Sequence, residues 1–142
     1  MGAAEEDINR RLLRARDLID RRYAEPLDIP LLARAAVMAP SHFIREFKRV
    51  FGETPHRYLQ RRRIERAMFL LRTGDEPVTD VCLAVGFTSL GSFSRTFREI
   101  VGLGPTAYRA HASPVPLPAP TGFTMRWSRP VNFGEAPTVR RP

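Results

Sequence analysis

Apolar side chains recur along this chain at spacings of three and four residues, in blocks that are separated by Gly and Pro. That spacing predicts amphipathic α-helices, and the Gly and Pro residues predict where they start and stop. Together they predict helices over residues 7–23, 29–36, 40–51, 54–73, 78–85, 90–101 and 105–111. The predicted fold class is therefore all-α, with a disordered N-terminus at residues 1–6 and an irregular Pro-rich tail at 113–142.

The longest predicted helix, residues 54–73, has no internal Gly or Pro. Thr54 can cap its N-terminus, Pro55 suits its first position, and Gly74 can end it in a left-handed conformation. One side of this helix carries a stripe of four apolar residues, Ile64, Ala67, Met68 and Leu71. Another side carries two aromatic residues, Tyr58 and Phe69. We therefore expect a connector of roughly 30 Å, at 1.5 Å per residue, that packs against two bodies.

The two bodies are predicted to be alike, because the chain repeats itself. FIREFKRVFGETPHRYL, starting at Phe43, matches FSRTFREIVGLGPTAYR, starting at Phe93, at an offset of 50 residues. Further upstream the offset is 49, so one extra residue sits in the turn of the second copy. Two copies are too few for a solenoid, and they predict instead a two-headed domain.

Each copy has the pattern of a helix-turn-helix unit, in which a short helix, a tight turn and a longer helix follow one another. A small residue (Ala33 or Cys82) allows close helix packing, and a turn residue (Val37 or Gly86) follows it. The predicted organisation is a first lobe at 7–53, the connector at 54–73 and a second lobe at 74–112.

The charge of the chain favours an anionic partner. The 142 residues carry a formal net charge of +8, and all but one of the Lys and Arg residues are Arg. Arg suits bidentate contacts to phosphate and guanine, although a genome rich in G and C would also raise the Arg content. A single Cys excludes an internal disulfide, and neither a signal peptide nor a membrane-spanning run is evident, so we expect a cytoplasmic protein.

Residues 7–112 resemble the DNA-binding domain of the AraC/XylS-type transcription regulators. The resemblance rests on LARAAVMAPSHFIREFKRVFGETPHRYLQRRRIERA in the first half and DVCLAVGFTSLGSFSRTFREIVGLGPTAYR in the second. It implies a bacterial, nucleoid-associated domain of about seven helices whose two recognition helices enter successive major grooves of double-stranded DNA. Most relatives carry a separate effector or dimerisation domain. Because six residues precede the first predicted helix here, we expect a monomer without a small-molecule effector domain.

Three positions depart from the pattern of that family. Val37 stands where the first turn usually has Gly, so this turn either avoids the left-handed region or carries strain. Ala39 replaces the usual Ser cap of the third helix, which can cost about 1 kcal/mol. Cys82 replaces Ala, and we interpret it as a packed small residue at a helix contact.

The resemblance places the DNA-contacting residues on the outward faces of the third and sixth helices. The two sets are Ser41, His42, Ile44, Arg45, Lys48 and Arg49 in the first head, and Gly91, Ser92, Ser94, Arg95 and Arg98 in the second. Arg45 and Arg95 are expected to contact bases or phosphates, and Ile44 can meet a thymine methyl. The first head is the more cationic, so we expect it to provide more of the affinity.

The connector carries a basic run of Arg61, Arg62, Arg63 and Arg66. Consecutive residues fan around a helix, so the four side chains cannot all face DNA. We expect one or two of them to contact DNA or support the lobes, and the others to be solvated.

The tail at 113–142 contains TGFTMRWSR, whose alternation favours an extended segment at 121–128 with an apolar side. Disorder, packing on the protein's own surface and docking to a partner all remain open for this segment.

Other classes of function find little support. His42, His56 and His111 are far apart, and the chain lacks a P-loop, a GxGxxG motif, paired Cys and a cluster of metal ligands, so no enzyme activity, metal or cofactor is expected. The Phe residues lie four apart in each copy, which places them on a buried helix face, whereas single-stranded RNA is bound on exposed aromatic side chains. The main alternative is a protein-interaction module that acts through RNA polymerase or another regulator and binds DNA weakly.

Overall fold

The computed structural model describes residues 2–111 of the chain, and within that span every regular element is an α-helix. The helices are α1 (Ala3–Arg22), α2 (Ile29–Ala35), α3 (Pro40–Phe51), α4 (Pro55–Thr73), α5 (Val78–Ala84), α6 (Leu90–Val101) and α7 (Pro105–His111). The all-α fold with its long central helix is confirmed. Ala112 and the tail at 113–142, including the predicted extended segment at 121–128, lie outside the described residues.

Side-chain caps start three of the helices. The side-chain oxygens of Asp28, Thr54 and Ser89 each accept a hydrogen bond from the backbone N–H three residues further on, at 2.9 to 3.1 Å. Ser89 therefore caps α6. Ala39 makes no side-chain cap for α3, as expected from its methyl side chain.

The prediction of a disordered N-terminus at residues 1–6 is wrong for most of that segment. Helix α1 starts at Ala3, four residues earlier than expected. Two alanines provide strong helix propensity, and Glu5 and Glu6 place negative charge in the first turn, where the helix dipole favours it. The acidic start of the chain is therefore part of the helix.

The apolar side chains form two separate cores, one in each lobe. In the first core, α1, α2, α3 and the start of α4 bury Leu12, Ile19, Leu32, Phe43, Phe47 and Tyr58. In the second, the rest of α4 joins α5, α6 and α7 to bury Ile64, Leu71, Val81, Phe93, Phe97 and Tyr108. The single helix α4 thus belongs to both cores, as expected for a connector between two bodies.

The end of α4 differs from the prediction. Gly74 has φ −131° and ψ −179°, so it is extended and not left-handed. Its N–H still bonds to the carbonyl of Leu70 at 3.0 Å, which closes the last turn of the helix. The chain then leaves directly towards the loop before Pro77, and that path needs an extended residue. The ends of α3 and α6 are left-handed, with φ 84° at Gly52 and 97° at Gly102.

Candidate nucleic-acid interface

Helices α3 and α6 are held in their lobes by the same aromatic arrangement. Their paired phenylalanines lie 5.7 Å apart between ring centroids in both lobes, Phe43 with Phe47 and Phe93 with Phe97. A tyrosine from the following helix completes each cluster, at 5.9 Å in the first lobe and 5.5 Å in the second. Three of these ring pairs pack edge to face and the pair of Phe93 with Phe97 is tilted, and packing of this kind fixes ring orientation. Each helix therefore buries one face firmly and presents the opposite face outward.

The predicted contact residues of the first head all lie away from the buried face of α3. They are exposed or half-buried: Ser41, His42, Ile44, Arg45, Lys48 and Arg49. Within residues 2–111, neither Arg45 nor Lys48 forms an ion pair. Their charges are thus available to an anion that approaches this surface.

Arg49 is different from its neighbours, because it is already paired within the protein. Its Nη2 lies 2.8 Å from Oε1 of Glu46, and its Nη1 lies 3.9 Å from Glu5 at the start of α1. The hydrogen bond from Arg49 lowers the pKa of Glu46 below its ordinary value, so this carboxylate stays charged. An exposed pair of this kind contributes little to stability. Part of the positive charge of the first head is nevertheless neutralised here.

The second head presents fewer charges and more small residues. Gly91, Ser92, Ser94, Arg95 and Arg98 are again exposed or half-buried on the outer face of α6. Leu90, which lies outside the predicted contact set, is 44 % exposed in the first turn. It lines a shallow depression with Ser94 and Arg98 beside the start of α7. The sequence gives no signal for this exposure, because a spacing of three residues from the buried Phe93 is the one expected of a core residue.

The turn of the first head contains strained backbone. Val37 has φ 57°, and in the part of the chain that the structure describes it is the one residue other than Gly with positive φ. The strained alternative of the sequence analysis is therefore correct. The side chain of Arg11 in α1 supports this turn, since its Nε donates to the carbonyl of Ala36 at 2.9 Å and its Nη2 to that of Val37. In the second turn Gly86 has φ 103°, which Gly adopts without a steric cost.

Cys82 lies in the corner of the second helix-turn-helix unit. It is buried, and its Sγ lies 3.7 Å from the carbonyl oxygen of Ser89. Burial raises the pKa of the thiol. This environment agrees with the interpretation of a packed small residue, since a reactive thiol needs exposure and a lowered pKa.

The basic run on the connector faces the protein more than expected. Arg61 is only 4 % exposed, and it bonds to Glu53 at 2.6 Å and to Glu65 at 2.8 Å. Burial alone would lower the pKa of Arg61, but the two carboxylates outweigh it and raise the pKa above its ordinary value. Arg62 bonds to Glu65 at 2.5 Å and to Asp20 of α1 at 3.1 Å.

Arg63 also has partners within the protein, the backbone carbonyls of Tyr23 and Glu25. Only Arg66 is exposed, and it lies over the ring of Phe69 at 4.8 Å. Three of these arginines therefore support the lobes, rather than the one or two that were expected. Phe69, which was predicted to pack against a second body, is 38 % exposed and covered by Arg66 instead.

Two classes of feature are absent from residues 2–111. No helix there is long and apolar enough to cross a membrane. No group of three or more His, Cys, Asp or Glu side chains is arranged to hold a metal ion in that span.

The chain is similar to known regulators. A sequence profile described as "Helix-turn-helix domain" matches residues 32–111. The probable transcriptional regulator LumQ of Photobacterium leiognathi is 34% identical over 91 residues, which are 64% of this chain and 37% of LumQ. The regulatory protein SoxS of Salmonella typhimurium strain LT2 is 32% identical over 91 residues, 64% of this chain and 85% of SoxS. The chain thus spans about a third of LumQ but most of SoxS.

Solved structures show the same architecture. The DNA-binding domain of the global transcriptional factor AdpA, determined in complex with a target DNA, superimposes with a TM-score of 0.67 at 32% identity. The match covers 70% of this chain and 89% of that domain. An AraC-type regulator from Chromobacterium violaceum matches with a TM-score of 0.66 at 29% identity, over 72% of this chain and 91% of the other.

The fold and its exposed faces define a domain with two helix-turn-helix units that share one central helix. The profile match, the relatives and the solved structures agree on its family. The chain belongs to the AraC-type family of helix-turn-helix transcription regulators.

Proposed function

We propose that this protein binds double-stranded DNA with sequence specificity by placing α3 and α6 in successive major grooves of one asymmetric site. The observation that carries the proposal is the pair of matching helices, each with its aromatic face buried and its polar or cationic face exposed. The target DNA in the AdpA structure supports the same type of ligand here. The two copies run in the same direction along the chain, so the target is a direct repeat or an asymmetric sequence rather than a palindrome.

The geometry also bears on the shape of the DNA. Helix α4 has 19 residues, which gives a length of about 28 Å at 1.5 Å per residue. One turn of DNA is about 34 Å long. DNA therefore bends towards the protein when both heads insert, at a cost of a few kcal/mol. At sites that resist bending, one head binds alone.

The roles of the contact residues follow from their positions. Arg45 and Arg95 contact base edges, with guanine the preferred base, and Ile44 meets a thymine methyl. Ser92 and Ser94 contact phosphates or bridging water, and Lys48 and Arg98, further along their helices, contact phosphates. The first head provides the larger share of affinity. The protein acts as a monomer in the bacterial cytoplasm, on the nucleoid when bound, and it works by binding alone rather than as an enzyme.

The test is a titration of the purified protein against its own promoter region and against a scrambled duplex, at two salt concentrations. A preference of about 10³-fold or more for one site, with a steep dependence on salt, is expected. Equal and weak binding to both duplexes would refute the proposal and favour a protein-interaction module that acts through RNA polymerase.

Single substitutions separate the two kinds of contact. Arg45→Ala is expected to cost about 1–3 kcal/mol and to relax the choice of base at one position, whereas Lys48→Ala lowers the salt slope by about one without changing the preferred sequence. Arg66→Ala, on the exposed side of the connector, is the matched control and leaves both quantities unchanged. Equal losses for Arg45→Ala and Arg95→Ala would contradict the larger share assigned to the first head.

A further inference from the structure

Helices α1 and α4 hold equivalent places in the two lobes, at an offset of 52 residues. Helix α1 packs on α2 and α3 as the second half of α4 packs on α5 and α6. The buried residues that make these contacts correspond in pairs: Leu12 with Ile64, Ala15 with Ala67, and Ile19 with Leu71. By the same offset, Arg11 of α1 corresponds to Arg63 of α4.

The two arginines occupy equivalent positions, but one bonds within its own lobe and the other bonds to the opposite lobe. Arg11 serves its own lobe, since it bonds to the carbonyls of Ala36 and Val37 in the first turn. Arg63 lies over the ring of Phe87 in the second lobe, with its guanidinium carbon 5.8 Å from the ring centroid. Its hydrogen bonds, however, go to the first lobe.

The partners of Arg63 are backbone carbonyls just after the end of α1. Its Nε donates to the carbonyl of Tyr23 at 2.6 Å, and its Nη2 to that of Glu25 at 2.8 Å. Tyr23 is the C-terminal cap of α1, and the carbonyls at this end of a helix carry partial negative charge that favours a cation. One guanidinium thus joins the first lobe to the corner of the second helix-turn-helix unit.

The backbone of the two lobes is also in close contact at this point. A Cβ added to Gly86 would lie 2.9 Å from Nε of Arg63 and 3.1 Å from both Cα and O of Ala24. The side chain of Tyr23 packs against the cores of both lobes. The segment after α1 therefore rests directly on the turn that precedes α6, and any tilt of α6 relative to α3 must disturb it.

We propose that Arg63 is a positioning residue that fixes the second head relative to the first, and so restricts the protein to DNA sites with one separation between the two half-sites. The proposal rests on the proposed function, because it assumes that both heads engage DNA. One added base pair moves the second half-site by about 3.4 Å and rotates it by about 34°. A rigid pair of heads cannot follow that shift, whereas a loosened pair can.

The contact is tested first in the protein without DNA. Spin labels are attached at Arg34→Cys and Leu83→Cys, two exposed and equivalent positions on α2 and α5, in a Cys82→Ala background, and the distance distribution between them is measured by pulsed electron paramagnetic resonance. We expect a narrow distribution for the parent and a clearly broader one after Arg63→Met. Arg66→Met, three residues along the same helix, is the matched control and keeps the narrow distribution.

The consequence for recognition is tested with a series of duplexes in which base pairs are deleted or added between the half-sites. The parent protein is expected to lose about tenfold or more in affinity for each changed spacing, because the second head no longer contributes. Arg63→Met binds the best site about tenfold more weakly, and its affinity varies little across the series. Arg66→Met keeps the parent profile.

The outcomes separate the two proposals. A distance distribution and a spacing profile that both stay unchanged in Arg63→Met would overturn the role of Arg63. If the parent protein binds equally tightly with and without the second half-site, two-headed binding is overturned. The spin-label distances would still decide whether Arg63 joins the lobes. If Arg63→Met does not fold, Arg63→Lys weakens the same contact and Gly86→Ala disturbs it from the other side, and both are expected to broaden the distribution.

Discussion

The left-handed backbone at Val37 predicts that a substitution in the first turn stabilises the protein. A residue other than Gly in this region costs about 1–3 kcal/mol, and a β-branched side chain falls in the upper part of that range, at about 2–3 kcal/mol. Val37→Gly removes this cost. Gly also gives the unfolded chain more conformational freedom, which destabilises the folded state by about 0.5–1 kcal/mol. Because Val37 is 65 % exposed, little packing is lost, about 0.5 kcal/mol.

The net expectation is a gain of about 1 kcal/mol, or a rise of about 4–6 °C in Tm for a domain of this size. The assay is thermal and urea unfolding followed by circular dichroism. Val37→Ala is the matched control, since it removes the branch but keeps a Cβ, and it should gain less. Gly86→Ala, at the equivalent turn, should destabilise, because its Cβ meets Arg63 and Ala24. A lower Tm for Val37→Gly than for the parent would refute the reasoning and would mean that the bonds from Arg11 relieve the strain.

Two further predictions concern the charged network at the start of α4. Arg61→Met should lower the free energy of unfolding by about 2–4 kcal/mol in urea, because Glu53 and Glu65, each only 16% exposed, lose their shared partner; a loss no larger than that of the exposed Arg66→Met would contradict this. Burial, together with the carboxylate of Asp20, raises the pKa of Tyr58, so the folded state holds this proton more tightly than the unfolded state. This stabilisation is complete below about pH 10, and above it the free energy of unfolding falls by up to about 1.4 kcal/mol per pH unit. Tyr58→Phe should reduce that slope. An unchanged slope in urea unfolding at alkaline pH would exclude the effect.

The parts of the fold that could be predicted are those determined by residues close together in the sequence. Pro40, Pro55 and Pro105 mark the starts of helices, and Gly52 and Gly102 mark ends, at the residues where the structure has them. The repeat then placed two similar lobes at the ends of one helix. The start of α1 differs from the predicted disorder at residues 1–6, because Glu5 and Glu6 favour a first helical turn although no apolar residue marks it.

The contacts of the connector could not be predicted, because they depend on residues distant in the sequence. Arg62 and Asp20 are separated by 42 positions, and Arg63 bonds to backbone carbonyls, which carry no signal in the sequence. An Arg side chain can extend towards water or fold back on the protein, and only the packed structure decides which. The roles of the outward residues on α3 and α6 stay predictions, since their exposure shows that they are available but not what they bind.

The sharing of α4 between two cores has a consequence for how the protein unfolds. A helix of 19 residues is only marginally stable in water by itself, so each end of α4 stays helical because it is packed. When one core melts, half of the helix loses its support, and the other core loses part of its own wall. The two lobes should therefore melt in one cooperative transition, and a fragment cut within α4 should leave neither half able to fold alone.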